Sequence, residues 1–406
     1  MLLNTGDYRA ASRRRLPRMI FEFVDGGAED ERTLRANESD LADVRFVPRA
    51  LVDVSAVDIS VELFGTRMRS PVIFGPAGLA GLLHADGECE VARGAGAAGT
   101  VYTLSTGSSR SIEQVAAAAS GPLWFQLYLW KDRRLIGSLV ERAKAAGYQA
   151  ICLTVDVPAI GNRERDARNG MVIPPRLRPG NMINVGCHPR WVGEVLMRSH
   201  ITYGNLIDPE TAPDPGARDT VRSLLGLLGL PGRTAAGEYS MTSLAEYVDR
   251  ELNNPGSTWD DLVWLRSVWD GPLLVKGILS ADDARTAARL GADAVVVSNH
   301  GGRQLDAAVS SVRALPAIVD AVGDRCEVLV DGGIRRGSDV AKVLAMGAKA
   351  CLVARPYLFG LAVDGHRGVA ATALRLQQEL TRVLALLGNP RADRLDRSWL
   401  FATCRK

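Results

Sequence analysis

Ala281-Asp-Asp-Ala-Arg-Thr-Ala-Ala-Arg-Leu-Gly291, followed by Ala294-Val-Val-Val-Ser298, is the stretch on which the fold of this chain turns. The first part carries Ala and Leu at helical spacing and stops at a Gly, which adopts the left-handed conformation that ends helices. The second part is a short β-branched run that ends in a polar residue, as expected of a strand buried on both faces. One helix and one buried strand, in that order, make half of a parallel crossover unit.

The unit recurs in both directions. Strand-like runs lie at Pro71-Val-Ile-Phe-Gly75, Thr100-Val-Tyr-Thr-Leu104, Leu123-Trp-Phe-Gln-Leu127 and Ala150-Ile-Cys-Leu-Thr-Val155. After a gap they resume at Leu273-Leu-Val-Lys276, Glu327-Val-Leu-Val330 and Ala350-Cys-Leu-Val353. Helical Ala-rich stretches such as Ser138–Ala146 and Ser338–Ala345 lie between, with Gly147 and Gly347 as stops. Eight such units predict an α/β fold, a closed (β/α)8 barrel of the TIM type. Residues 1–70 are expected to form a helical extension, residues 71–388 the barrel, and residues 389–406 a C-terminal tail.

One spacing breaks the rhythm. More than a hundred residues separate Asp156 from Leu273, where about thirty would serve. Trp259–Trp269 reads as the helix before the fifth strand, which leaves 162–257 as a long insertion after strand 4. From Arg163 to Gly204 the insertion carries seven Arg against three acids. Long loops of this kind are usually functional. Within it, Trp191, Val192, Val195 and Leu196 are expected to form an apolar face beside basic residues, suited to peripheral contact with an anionic inner membrane surface. The expectation that outweighs it is a lid packed over the active site or on a neighbouring subunit.

Bulk properties narrow the classes. The 406 residues are 47% apolar with a net charge of +3, enough for a large core and too little charge to argue for nucleic acid. The six cysteines show no metal-ligand spacing, so no metal is expected and buried thiols in a reducing compartment are. No apolar secretory segment follows Met1, and the longest apolar stretch, near Leu224–Leu230, is too short to span a bilayer. A cytoplasmic protein is expected.

Barrel active sites form at the C-terminal strand ends. Here those ends carry Pro76-Ala-Gly78, Ser105, Gln126 with Tyr128, Thr154 with Asp156, Lys276, Ser298-Asn-His300, Asp331-Gly-Gly333 and Ala354-Arg355. In Asp331-Gly-Gly-Ile-Arg-Arg-Gly337, the glycines admit an anion to the backbone and the arginines neutralise it, which suits a phosphate. In Ser298-Asn-His-Gly-Gly-Arg-Gln-Leu-Asp306, a group that takes protons near neutral pH stands beside a fixed cation for a carboxylate. Lys276, at a buried strand end, either meets negative charge on a cofactor or pairs with Asp331 or Asp156.

These motifs, with Leu16-Pro17, Gly27-Ala-Glu-Asp30, Phe125-Gln-Leu-Tyr128 and Asn162-Arg-Glu164, resemble the FMN-dependent 2-hydroxy acid oxidase/dehydrogenase family from about Tyr8 to Gly388. That family includes glycolate oxidase, lactate dehydrogenase, mandelate dehydrogenase and lactate monooxygenase. The resemblance implies FMN held by Pro76, Ala77, Gly78, Ser105, Gln126, Thr154, Lys276 and Ser298. Its phosphate would lie on Asp331, Gly332, Gly333, Arg335, Ala354 and Arg355. It also implies Arg163 and Arg303 on the substrate carboxylate, Tyr128 near the hydroxyl, and His300 as a base backed by Asp156. A homotetramer and oxygen or a quinone as electron acceptor complete the expectation.

Four positions depart from the family pattern. Phe23 replaces a Tyr, Ala77-Gly78 a Thr-Ala pair, Gly107 a bulkier residue, and Ala354 a Gly. Phe23, Gly78 and Gly107 predict space for a larger, aryl substrate of mandelate type. Three alternatives are oxidative decarboxylation of the lactate monooxygenase kind, a phosphate-binding barrel isomerase, and a non-catalytic flavin scaffold.

Overall fold

Every β-branched run becomes a strand, and the strands close on themselves. The structure, a computed structural model, describes residues 1–171, 179–198, 203–205 and 254–401. A short antiparallel hairpin, β1 (Val61–Leu63) and β2 (Thr66–Met68), precedes the barrel. The barrel strands are β3 (Val72–Phe74), β4 (Tyr102–Ser105), β5 (Leu123–Tyr128) and β6 (Ala150–Thr154). They continue with β7 (Leu273–Ile278), β8 (Ala294–Val297), β9 (Glu327–Val330) and β10 (Ala350–Val353). They run in sequence order around a closed barrel in which β10 returns to pair with β3, every pair parallel. The expected (β/α)8 barrel is therefore the fold.

The pleat divides each strand into two sets of side chains. One set, including Ile73, Trp124, Cys152, Leu274, Val296, Leu329 and Leu352, fills the barrel interior. Val61, Leu63 and Met68 of the hairpin join that cluster, and Phe64 meets Trp124 at 5.8 Å, so the hairpin plugs one end of the barrel. The other set, among them Phe74, Phe125, Leu153, Val275 and Val330, packs outward on the helices. Strands of three residues are too short to show alternation, which is why the sequence of this region predicts no strand.

Two further expectations need correction. Cys89, Cys152, Cys326 and Cys351 are buried thiols, but Cys187 is exposed. Trp191 and Val195 do not form an outward apolar face. Both are buried, and Trp191 Nε1 donates to the Leu82 carbonyl at 2.8 Å. The Leu224–Leu230 stretch and Cys404 lie outside the described residues.

Three N-terminal helices lie against the barrel mouth: α1 (Thr5–Arg15), α2 (Arg18–Asp25) and α3 (Arg32–Asp43). In α2, Met19, Ile20, Phe21 and Val24 face inward, and Phe21 stacks on Phe359 at 6.3 Å. Residues 389–401 return to this layer: Val47 N donates to Trp399 O, and Arg49 lies 3.9 Å from the Trp399 ring.

The N-terminus of α3 has no cap of its own, since Glu31 there makes no side-chain cap bond. Asp306 supplies one from 273 positions away, accepting from Thr33 N at 2.8 Å and Arg32 N at 3.1 Å. A borrowed cap should contribute as a local one does. Asp306→Ala is expected to lower stability by about 1–2 kcal/mol, read as a shift in the thermal or urea midpoint. An unchanged midpoint would show that the contact contributes nothing.

Candidate active site

Because inward residues alternate along each strand, Ser105, Gln126, Tyr128, Thr154 and Lys276 share the barrel's inner surface at its C-terminal end. The register sets Ser105 beside Gln126, Tyr128 beside Thr154, and Thr154 beside Lys276. Asp331 and Ala354 follow Leu329 and Leu352 by one pleat repeat. Above this floor opens a cavity of about 600 Å³.

The structure brings most of the expected residues to that cavity. Phe23, Pro76, Ala77, Gly78, Ser105, Gly107, Tyr128, Arg163, Lys276, His300, Arg303, Asp331, Gly332, Gly333, Arg335, Ala354 and Arg355 all line it. Gln126, Thr154, Asp156 and Ser298 stand directly behind this lining.

His300 occupies a backbone built for the purpose. Its φ is +57°, and Gly301 and Gly302 follow at +63° and +75°. A non-glycine residue in the left-handed region is strained, and such strain gathers at functional sites. A side chain on Gly302 would meet Leu34 N at 2.5 Å, so this loop is packed directly on α3. His300 Nδ1 lies 3.0 Å from Asp156 Oδ1, and His300 N donates to Ser298 Oγ at 3.0 Å. With Nδ1–H donating to the carboxylate, Nε2 keeps its lone pair for the cavity.

Asp156 reaches this position because β7 makes room. Gly277 has φ +104° at a register shift, and a Cβ there would stand 2.7 Å from Asp156 Cγ. Burial opposes the ionised Asp156, but the charge and hydrogen bond of His300, helped by Lys276, hold its carboxyl below the usual range. For His300, burial pushes the pKa down; Asp156 pulls it up, and Lys276 and Arg163 push it down again. The net direction is down, so the neutral form is favoured.

Lys276 makes one of the two expected contacts, an ion pair, and it also lines the cavity. Its ammonium lies 3.0 Å from Asp331 Oδ2 and donates to Ser298 Oγ at 2.9 Å. Burial opposes the charge, but Asp331 and Asp156 outweigh it and raise the pKa, so the Lys stays protonated.

The two arginines of the loops after β8 and β10 are tied to the end of α2. Arg303 Nη1 donates to Phe23 O and Gly26 O at 2.8 and 2.9 Å, and its guanidinium lies 5.2 Å from the Phe23 ring. Arg355 donates from Nε to Val24 O, from Nη1 to Gly301 O and from Nη2 to Gly26 O. Carbonyls at a helix C-terminus attract cations, which fixes both side chains. Burial, then Arg163 and Arg355, push Arg303 down, and burial with Arg335 lowers Arg355 to about 10. Arg163 Nε has no hydrogen-bond partner among the described residues.

At the β9 end, Gly332 and Gly333 have φ of +93° and +80°, and a Cβ on Gly333 would stand 2.2 Å from Asn37 O. Arg335 pairs with Glu38 at 2.8 Å, and Asp339 accepts from the N–H groups of Arg335 and Arg336. Those two N–H groups are thus already satisfied, which leaves the glycines and the guanidinium groups as the anion-facing donors.

The two pocket glycines are not independent. A Cβ on Gly78 would meet Gly107 O at 2.7 Å, and Leu79 N donates to that carbonyl. A Cβ on Gly107 would meet nothing nearer than 3.7 Å, with Tyr203 Cε1 at 3.9 Å. The added space lies at Gly107, while at Gly78 two backbones touch.

Sequence reasoning missed Trp130, Asp166, Met171 and Tyr203, all of which line the cavity. Trp130 stands two residues beyond Tyr128, past the end of β5 where the strand period stops. The other three belong to the insertion, where no periodicity marks direction. Among the described residues, no group of His, Cys, Asp and Glu could hold a metal ion, and no helix is long and apolar enough to cross a membrane.

A parallel barrel with a cationic anion site and a His–Asp pair at its C-terminal mouth defines a class of enzyme that acts on ligands carrying anionic groups. The chain belongs to the FMN-dependent dehydrogenase family, whose pattern matches residues 12–402. FMN is therefore its cofactor, and the isomerase and scaffold readings fall away. The chain is 43% identical over 386 residues to an L-lactate dehydrogenase of Caulobacter vibrioides, covering 95% of this chain and 94% of that one. It is also 43% identical over 387 residues to an L-lactate dehydrogenase of Xanthomonas oryzae pv. oryzae, covering 94% and 92%. Among solved structures it resembles the monotopic membrane protein (S)-mandelate dehydrogenase, with a TM-score of 0.88 and 37% identity over 98% of this chain and 99% of that one. A mandelate oxidase structure gives a TM-score of 0.77 at 35% identity, covering 99% and 98%.

Proposed function

We propose that this chain oxidises an L-2-hydroxy acid to the 2-keto acid, with His300 as the base. The observation that carries this reading is the His300–Asp156 contact at 3.0 Å beside Arg163 and Arg303 in one cavity. Arg163 and Arg303 bind the substrate carboxylate, and Tyr128 hydrogen-bonds its hydroxyl. His300 Nε2 then takes a proton from the CHOH group, and Asp156 stabilises the imidazolium that results. FMN, when bound, would supply the acceptor for the two electrons and the second hydrogen that the CHOH group gives up.

The residues fit that cofactor. Among the described residues, Gln126 Nε2 and Thr154 Oγ1 are buried without a hydrogen-bond partner, at strand ends that face the cavity. Gly332, Gly333, Arg335 and Arg355 would take the phosphate, and Lys276 would offer the cofactor a positive charge. Removing an unpartnered buried hydroxyl should not harm the empty fold, yet should cost the ligand a hydrogen bond of about 0.5–1.5 kcal/mol. Thr154→Val is expected to keep or raise the thermal midpoint of the apoprotein and to weaken FMN binding by about three- to tenfold. Equal FMN affinity in a fluorescence titration would remove Thr154 from the cofactor site.

The reductive half-reaction tests the base. His300→Ala is expected to keep FMN and to slow anaerobic flavin reduction by about 10²–10⁴. Because burial lowers the His300 pKa, the base form persists as pH falls, and the acid limb of kcat/KM should lie below 6.5. Asp156→Asn removes the group that pulls this pKa up, so the limb should move lower still while the rate drops. Near-normal reduction by His300→Ala would overturn the assignment.

An aryl side chain is the substrate class this pocket suits. The support is the open space at Gly107, bounded by Tyr203, and the apolar ring of Phe23 under Arg303. Likeness to lactate dehydrogenases favours the smaller substrate. A kcat/KM for (S)-mandelate above that for L-lactate is expected, and the reverse order would leave only the family reaction.

Peripheral contact with an anionic membrane is inferred at a different face from the one first expected. Met182, Ile183 and Met197 are exposed, and exposed Arg190 and Arg198 stand near them in sequence. A quinone acceptor suits that location better than oxygen. Salt-sensitive co-sedimentation with anionic vesicles is expected, reduced in Ile183→Asp, and its absence in the unaltered protein would remove the membrane contact.

A further inference from the structure

We propose that Gln304 is a positioning residue that locks the strap after β6, which carries Asp156 and Arg163, onto the loop after β8, which carries His300 and Arg303. The inference rests on the reading of His300 as a base supported by Asp156, and it assigns what holds that pair together.

All three hydrogen-bonding functions of one amide are used on the strap. Gln304 Nε2 donates to Asp156 O at 2.9 Å and to Ala159 O at 3.0 Å, and Gly161 N donates to Gln304 Oε1 at 3.2 Å. These bonds reach across 143 to 148 positions of sequence. A planar amide with two donors and one acceptor in fixed directions matches two carbonyls and an N–H, and neither a carboxylate nor a shorter Asn repeats that pattern. The strap lies directly on the loop's backbone as well: a Cβ at Gly161 would stand 2.3 Å from Arg303 O and 2.8 Å from Gln304 Cα. Because the amide holds main chain, it fixes where the Asp156 carboxylate starts without touching it.

Among the described residues the strap has few other ties, and Val155 N, beside Asp156, donates to Lys276 O at 2.9 Å. Asn162 O accepts from Glu29 N at 2.8 Å, and Asp156 reaches His300 at its far end. Releasing the amide therefore frees the strap between those two points. The two groups it carries belong to different steps, since Arg163 faces the substrate and Asp156 faces the base. The charges that face His300 are Asp156 from the strap, Lys276 from β7 and Arg163, while Arg355 holds the carbonyl of the next residue. Of these, Asp156 and Arg163 move with the strap and Lys276 does not.

The test uses the FMN-loaded protein and compares the unaltered chain, Gln304→Ala, Gln304→Glu, Asp156→Asn and the double variant Gln304→Ala/Asp156→Asn. Misplacement on the scale of an ångström costs about 10²-fold, so Gln304→Ala is expected to lower kcat by about ten- to a hundredfold and to raise KM. Its acid limb should move in the same direction as that of Asp156→Asn, with FMN content and thermal midpoint close to those of the unaltered chain. Gln304→Glu preserves size but turns a carboxylate toward two carbonyls, so it should be impaired at least as much. In the double variant, the kcat cost of Gln304→Ala should largely vanish, because residues that act through one another are not additive. A lowered thermal midpoint with kcat and acid limb unchanged would overturn the proposal, and so would a Gln304→Glu variant of full activity or strictly additive costs. An unmoved acid limb in Asp156→Asn would overturn the base reading and this proposal together. A moved limb in Asp156→Asn with none in Gln304→Ala would overturn only the role of Gln304.

Discussion

Charge kept away from water constrains this molecule more than any other term. Lys276 sits at the barrel's inner wall with 3% exposure, where an unpaired ammonium would be prohibitively costly. Asp331, Asp156 and the hydroxyl of Ser298 surround it, and those groups in turn anchor the loops after β9, β6 and β8. Arg303 and Arg355 meet the same demand with carbonyls from the end of α2. The N-terminal helices are therefore part of the mouth, since without them the guanidinium groups of Arg303 and Arg355 would lose their carbonyl partners. What remains after this pairing is a surplus of positive charge, with Arg163 the least committed. That surplus is the physical basis of the proposal that the cavity takes anions at two places.

The pleat converts this electrostatic demand into geometry. Each inward residue at a strand's end is two positions beyond a fully buried or nearly buried inward residue, so the polar floor is continuous with the core beneath it. Ser105 follows Thr103, Gln126 follows Trp124, Thr154 follows Cys152, and Lys276 follows Leu274. A hydrophobic plug below and charged groups above leave little freedom for the floor to tilt. The positive-φ triplet from His300 to Gly302 then lifts one imidazole above the floor while the backbone turns down onto α3.

Much of this was legible in the chain because period two and period 3.6 separate cleanly when strands are β-branched and helices Ala-rich. Lys276 and Gln126 were visible as polar residues at the ends of apolar runs, and His300 as the first reactive group beyond one. Contacts between distant loops were not legible. Nothing in the sequence says that Gly78 touches Gly107, so both looked like sources of space when only Gly107 is one. Trp191 looked like a surface anchor because its segment is amphipathic, and only the tertiary structure turns it toward Leu82. Asp166, Met171 and Tyr203 come from the insertion, where side-chain direction follows packing and has no period to betray it. The β1–β2 hairpin failed for a simpler reason: three residues hold too little pattern.

The return of residues 389–401 to the N-terminal layer has a consequence in time. A ribosome releases the chain from its first residue, yet Val47 and Asp58 find their backbone partners at Trp399 and Pro390, and β3 waits for β10 to close the barrel. The nascent chain must therefore carry an open sheet edge and an uncovered apolar layer through nearly the whole of its synthesis. Such contacts, separated by hundreds of residues, slow folding and leave sticky surface exposed. Cellular yield should then depend on chaperone supply and translation rate more than on the stability of the finished barrel.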